Sequence, residues 1–344
     1  MNLKKHKILI KSLFVTFLIL IISNNIYARR TKYIFKLATL APKSVGWAKH
    51  IREIIFPGIK NVTNGEVMMK MYWNGTMGNE EDYIRLMKAG RIDGAAFSGF
   101  GSIMACPEMA VLELPFIFKN YEEVDYIRKI MYPEFEAIIE KNGYKLILWT
   151  DQDFDQIYSV KYDMTTPEHF KKSIFVSCFG TLEKEVLMTL GADPIPMTVK
   201  AGSTAIRKGL VDAFIGPAMW VVGSQMYTVV KYVNPIKIRY SPAIALITLE
   251  SWNKVPEDYQ RHIQSFRYKE AVDFCNKNRI DSKRAFDAMI KYGLKVSEID
   301  KKVLNDIKNK TKPLWYNMAG KVYEKKTLDT LLMHLNAYRK KNNN

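Results

Sequence analysis

The sequence is poor in the residues that build catalytic centres and disulfide-stapled folds. Its 344 residues hold 3 cysteines and 5 histidines. Cys106, Cys178 and Cys275 are odd in number, far apart and in no CxxC pair, which excludes a disulfide framework and a thiolate metal site. One bridge at most could form; buried free thiols are expected. His50, His169, His262 and His334 include no i, i+4 pair, so no zinc helix is present. Ser98-Gly99-Phe100-Gly101-Ser102 lacks the order of a nucleophile elbow. No phosphate-cradling GxxxxGK occurs, and Asp151, Asp153 and Asp155 lack the downstream glycine and glutamate of a calcium loop. Nothing here forms a catalytic constellation, so an enzyme is not expected, nor a cofactor or metal.

Beyond residue 23 there is also no long apolar run. Before it, Lys4, Lys5 and Lys7 precede an apolar stretch whose uninterrupted part, Leu13 to Ile22, is short for a bilayer span. Ile26-Tyr27-Ala28 follows as a small-residue cleavage site. This pattern reads as an export signal over residues 1–28, with cleavage near Ala28 and a periplasmic mature chain. No cysteine stands there for lipid attachment. Removing the segment takes four lysines and no acid, leaving 48 basic against 35 acidic residues, an excess of +13. Those lysines are scattered among acids and gather mainly near the end (Lys325, Lys326, Arg339 to Lys341), so they read as a solvated surface rather than a nucleic-acid site.

Strand-like and helix-like segments alternate along the mature chain. Strands are expected at 33–40, 67–73 and 92–98, with helices at 44–62 and 79–88 between them. Such β-α-β-α-β order implies a parallel, doubly wound sheet. After Trp149 the rhythm resumes with strands at 174–178, 194–197 and 211–215 and helices at 182–190 and 203–208. Tyr240 to Leu249 is an apolar return strand. Pro256 to Tyr292 carries no strong breaker and reads as one or two helices, together roughly 50 Å long. Two lobes follow: residues 29–152 with 243–280, and residues 153–242 with 281–336, before a basic polar tail at 337–344. The chain should cross between them near Trp149–Asp155 and Arg239–Pro242, the expected hinge.

Six phrases then resemble the solute-binding proteins of TRAP transporters, the dicarboxylate-receptor (DctP) family. They are Asn74-Gly75-Thr76-Met77-Gly78-Asn79-Glu80-Glu81, Met87-Lys88-Ala89-Gly90-Arg91-Ile92-Asp93-Gly94, Leu114-Pro115-Phe116-Ile117-Phe118, and Leu190-Gly191-Ala192-Asp193-Pro194-Ile195-Pro196-Met197. The others are Ala205-Ile206-Arg207-Lys208-Gly209-Leu210-Val211-Asp212-Ala213 continuing to Pro217, and Ser251-Trp252-Asn253-Lys254-Val255-Pro256-Glu257. Each alone is weak; six in the family's order over nearly the whole mature chain are strong. The resemblance implies an α/β, two-lobe periplasmic binding protein fold, with a ligand cleft between lobes and a long helix spanning both. It implies a small-molecule ligand and small and large integral-membrane subunits as partners. A helical-repeat periplasmic subunit is a further partner that some similar systems use.

The resemblance also implies a carboxylate-binding arginine on the strand that opens the second lobe. Phe175 stands there instead, and a slip to Ile174 or Ser177 still gives no arginine. Asp155, Ala201 and Gly216 replace a second basic residue, a glutamate and an asparagine of the family. A carboxylate buried without a paired cation would cost several kcal/mol. The expectation is therefore an apolar cleft for a neutral, apolar or amphipathic ligand. Ligands of open α/β sheets sit outside the carboxyl ends of strands. The candidate wall residues are Trp47, Phe97, Phe100, Phe116, Phe154, Phe175, Cys178, Phe214, Met219 and Trp220. A carboxylate receptor with a non-standard cation, or a lobe that docks another periplasmic subunit, is the alternative.

Overall fold

The computed structural model describes residues 31–44 and 46–342. The expected export signal lies outside the described residues, as does the end of the tail. Nine strands are described: β1 Tyr33–Thr39, β2 Val67–Tyr72, β3 Gly94–Phe97, β4 Tyr144–Ser159, β5 Val176–Ser177, β6 Ile195–Pro196, β7 Ala213–Gly216, β8 Tyr232–Thr248 and β9 Lys295–Val296. The helices are α1 Gly46–His50, α2 Phe56–Val62, α3 Glu80–Lys88, α4 Gly99–Ala105, α5 Tyr121–Lys141, α6 Pro167–Lys172, α7 Gly180–Thr189, α8 Val199–Arg207 and α9 Ala218–Gly223. Past β8 come α10 Leu249–Trp252, α11 Glu257–Tyr292, α12 Lys301–Thr311, α13 Leu314–Asn317 and α14 Lys325–Asn342.

The main sheet runs β2-β1-β3-β8-β4-β7, with β9 on the other part of β8. β1 pairs parallel with β2 and β3, as successive βαβ crossovers dictate. The expectation of a parallel sheet fails beyond them. β3 with β8, β8 with β4 and β4 with β7 are all antiparallel. The cause is the length of β4 and β8, 16 and 17 residues, which run in opposite directions through both lobes as a shared ribbon. β3 rests on the end of β8 near Ile244–Ile247, and β7 on the end of β4 near Gln156–Ser159. A pair β5-β6 extends the second lobe through a Phe175–Ala213 bridge. Register shifts at Asp151/Asp153 and Asp155/Ile157 bulge β4 between the lobes, where added twist bends a strand.

The elements end where local chemistry requires. Asn79 and Asp82 form a reciprocal capping box at the start of α3. The 36-residue α11 is unbroken, roughly 54 Å long at 1.5 Å per residue, and stops at Gly293, whose φ of +118° a side chain would disfavour. Buried polar contacts pin α11 to the sheet. Asn278 donates to the carbonyls of Asp151 (3.0 Å) and Gln152 (2.8 Å), and Arg279 binds Asp151 at 2.7 Å. His50 meets Asp281 at 2.9 Å.

The C-terminal helices, grouped with the second lobe by the sequence reading, pack against α5 and the Leu114–Phe118 segment. Trp315 Nε1 donates to the Pro115 carbonyl at 3.0 Å, Arg339 pairs with Glu123 at 2.7 Å, and the rings of Tyr126 and Tyr338 lie 4.6 Å apart. α5 itself, 21 residues with Pro133 inside, has no counterpart in the sequence reading.

Candidate functional site

Helix starts from both lobes converge on one cavity of about 990 Å³, at the upper end of the usual range for small-molecule sites. The first lobe supplies Trp47 from α1, Phe97 from β3 and Phe100 from α4; the second supplies Cys178, Phe179, Met219 and Trp220. Trp47 is held by a 3.1 Å bond from Nε1 to Thr150 Oγ1 and by edge contact with Phe274 at 5.6 Å. Trp220 meets Phe179 and Phe214 edge-on at 5.6 and 5.2 Å. Phe97 and Phe179 are nearly buried, whereas Trp47, Phe100, Met219 and Trp220 are half-buried and present surface to the cavity.

Six of the ten residues expected at the cleft thus border it: Trp47, Phe97, Phe100, Cys178, Met219 and Trp220. Four do not. Phe154 is buried against Tyr121 and Tyr240, at 5.0 and 5.8 Å. Phe214 stacks on Tyr158 at 5.3 Å inside the second lobe, and Phe175 stacks on Phe170 at 5.9 Å. Phe116 turns back at a φ of +56°, its N–H on the Ile238 carbonyl at 2.9 Å, and lies under Lys308. Aromatic character and position near the inter-lobe edge flagged these residues but could not say which layer each ring faces. Phe175 is fully buried, so Phe175→Asp is expected to unfold the second lobe, lowering stability by roughly 3 kcal/mol or more. Urea titration beside Phe175→Leu, expected to lose about 1 kcal/mol, checks this.

The replaced polar positions each have a physical counterpart. At Gly216 a Cβ would fall 2.5 Å from Cε3 of Trp220, so the indole fills the room a longer side chain would need. Asp155 is fully buried and faces Arg239 in register across β4 and β8. Its carboxylate takes Arg239 Nε at 2.7 Å and Ser241 Oγ at 2.9 Å. Arg239 also approaches Glu113 at 3.4 Å and Glu183 at 3.7 Å, and its guanidinium lies 4.7 Å from the Phe179 ring. A guanidinium does sit behind the cleft wall, then, but Asp155 pairs with it and the Glu113 and Glu183 carboxyl groups surround it. Burial raises the Glu113 carboxyl to about 8 despite Arg239, with Asp155 and Glu183 adding to the rise.

Glutamates also take backbone N–H groups at or just before two of the helix starts near the cavity. Helix N-termini attract anions through free N–H groups and the dipole. At α7, Glu183 accepts from Cys178 N and Phe179 N, both at 2.8 Å, and from Ser177 Oγ at 3.1 Å. At α4, Glu80 accepts from Ser98 Oγ at 2.6 Å and Gly101 N at 3.1 Å. Both glutamates are buried, and burial raises both carboxyl pKa values. The positive groups that border the cavity, Lys184, Lys200 and Arg207, are exposed on the second-lobe side. Sequence reading missed them; their placement in the first half of α7 and at the two ends of α8 was the available signal.

Among the described residues no group of three or more potential ligands could hold a metal, and no helix is long and apolar enough to cross a membrane. Two lobes joined by a shared strand ribbon, with a cavity between them, define a bilobal solute-binding protein. The sequence model of bacterial extracellular solute-binding protein family 7 (DctP) matches residues 57–321, and the chain belongs to that family of TRAP-transporter receptors. The family serves transport, not catalysis.

Relatives and solved structures agree. The 2,3-diketo-L-gulonate-binding periplasmic protein YiaO of Escherichia coli is 23% identical over 248 residues, 71% of this chain and 75% of that protein. An uncharacterized Haemophilus influenzae protein is 29% identical over 190 residues, 54% of this chain and 57% of its own length. The fold is that of the sugar acid binding protein DctPAm of Advenella mimigardefordensis, in complex with galactonate, with a TM-score of 0.83 at 18% identity, covering 89% of this chain and 99% of that one. A Haemophilus influenzae TRAP solute-binding protein with bound L-gulonate gives a TM-score of 0.79 at 22% identity, covering 89% and 99%.

Proposed function

We propose that this chain captures an amphipathic organic solute, closes on it, and delivers it to the membrane subunits of a TRAP transporter. The apolar body of the solute lies among Trp47, Phe100, Phe179, Met219 and Trp220, and its polar or anionic end faces Lys184 and Lys200. The observation that carries this reading is that the guanidinium behind the cleft wall, Arg239, is already paired with Asp155 of its own chain. Arg239 faces Asp155, Glu113 and Glu183, Glu80 takes the Gly101 N–H in the first turn of α4, and Glu183 takes the N–H groups of Cys178 and Phe179 just before α7. A small hydroxy acid would meet no free cation in the interior and would leave aromatic surface wet.

The related structures that hold galactonate, L-gulonate and succinate support the role of a small-solute receptor. They also favour an acidic group on the ligand, which the exposed lysines could meet. Thermal-shift titration with octanoate and related medium-chain acids, beside succinate and gluconate, tests the reading. Stabilisation by the medium-chain acids alone is expected; stabilisation by succinate or gluconate alone would reject it. A helical-repeat periplasmic subunit as additional partner is a proposal for native mass spectrometry of the chain with its operon neighbours.

A further inference from the structure

The second-lobe wall of the cavity is set back by a glycine that does not itself border the cavity. Gly216 ends β7, paired with Gln156 of β4, and Pro217 turns the chain straight into α9. The Trp220 N–H bonds the Pro217 carbonyl at 3.0 Å, and this tight turn folds the indole back over the strand end. A Cβ on Gly216 would lie 2.5 Å from Cε3 and 2.8 Å from Cζ3 of that ring. Phe179 and Phe214 stand edge-on to the indole at 5.6 and 5.2 Å. Trp220 lines the cavity, and Gly216 lies buried behind it.

The backbone does not require glycine at this position. Gly216 continues an extended strand, whereas Gly46 and Gly180, beside the same cavity, hold φ values of +50° and +84° that favour glycine in any surroundings. A glycine in a strand costs conformational entropy and often marks a place where another group approaches the backbone closely. Here that group is one side chain. Beyond the indole, the next atom from an added Cβ is Phe214 Cδ2 at 3.8 Å, an ordinary contact. An alanine methyl at 216 therefore conflicts with the Trp220 ring alone. Gly216, Phe179 and Phe214 back the ring, so it gives toward the cavity, by roughly 1 Å to regain a carbon–carbon distance of about 3.5 Å.

We propose that Gly216 sets the depth of the cleft by seating Trp220, and so fixes the longest solute that the receptor admits. It determines specificity without meeting the solute, through the position of the indole. This role rests on the reading that the solute lies against Trp220, but on the length of the solute and not on its polarity. A wall brought inward by roughly 1 Å removes room for about one methylene, which is worth a factor of roughly four in affinity. Solutes too short to reach the ring keep their affinity.

The test is isothermal titration calorimetry of the full chain with two homologous series, straight-chain acids from hexanoate to dodecanoate and aldonates from erythronate to gluconate. Gly216→Ala should weaken the longest acid that wild type binds by roughly four- to tenfold and leave the shortest within about twofold. In a Trp220→Phe background the same change should cost less than about twofold at every length, because the smaller ring leaves room for the methyl. Ile206→Val, in the second-lobe core and not bordering the cavity, should lower stability without altering the length profile. An equal loss at every length, no loss, the same length-dependent loss in the Trp220→Phe background, or a matching shift in Ile206→Val would each overturn the proposal. A length shift seen among the aldonates alone would uphold the role of Gly216 while rejecting the amphipathic solute. Binding of neither series by wild type would overturn both.

Discussion

Arg239→Met is expected to cost roughly 3–5 kcal/mol of stability, the typical penalty for leaving buried carboxylates without their cation. The variant keeps the length of the side chain but strands Asp155 and Glu183, each no more than 2% exposed. Asp155 suffers most, since its nearest partners are Arg239 and Ser241. The effect should concentrate between the lobes, because Asp155 and Arg239 lie on the crossing strands and Glu183 on the second lobe. Urea titration reads the loss, and adding Asp155→Asn to Arg239→Met should recover part of it by removing the carboxylate that Arg239 holds directly. A loss below about 1 kcal/mol would show that the cluster is solvated rather than buried.

The same cluster sets a pH dependence. The Glu113 carboxyl, pushed up by burial to about 8 from an ordinary 4.5, keeps its proton in the folded chain where the unfolded chain has lost it. Between those values the folded state binds more protons, so its stability falls as pH rises, by at most about 1.4 kcal/mol per unit for one proton. The stabilisation is complete below the lower value and gone once pH passes through the upper one. Glu113→Gln should flatten this slope across pH 5 to 8.

Trp220→Asp should abolish solute retention while leaving a folded protein. Trp220 is half-buried, covers Gly216 and forms cavity wall beside Phe179. A carboxylate there would have to stay hydrated or lie against the apolar body of the solute, and either weakens binding by roughly 100-fold, about 2.7 kcal/mol. Trp220→Leu keeps an apolar wall and should lose far less. Ligand retention is measured by extraction from equal amounts of each purified variant. Equal retention by Trp220→Asp and wild type would remove Trp220 from the site.

How much of this was readable from the sequence differs by level. The six phrases sit at junctions between elements whose glycines, prolines and caps are local features, so the scaffold and the family followed from them. Asn79 with Asp82, and Gly293 at the end of α11, are cases where residue type alone sets the boundary. Sheet direction was not local. β4 and β8 are antiparallel because they traverse both lobes, and no short window holds that information. The site was half legible for a similar reason. Trp47, Met219 and Trp220 sit at or near helix starts, which point at the cleft, whereas Phe154, Phe175 and Phe214 lie on strands where alternation offers two faces and only packing chooses. The missing arginine was visible as an absence. What replaced it was not, because Arg239 is 84 residues from Asp155 in the chain and meets it only across the ribbon.

The central claim is that the cleft holds an amphipathic solute because its interior offers no free cation. Mass spectrometry of the small molecules released by denaturing the chain, purified from an exporting host, tests it most directly. The account predicts a molecule with an extended apolar body and one polar or acidic end, lost from Trp220→Asp. Recovery of a small dicarboxylate or a sugar acid, bound as well by Trp220→Asp as by wild type, would contradict it.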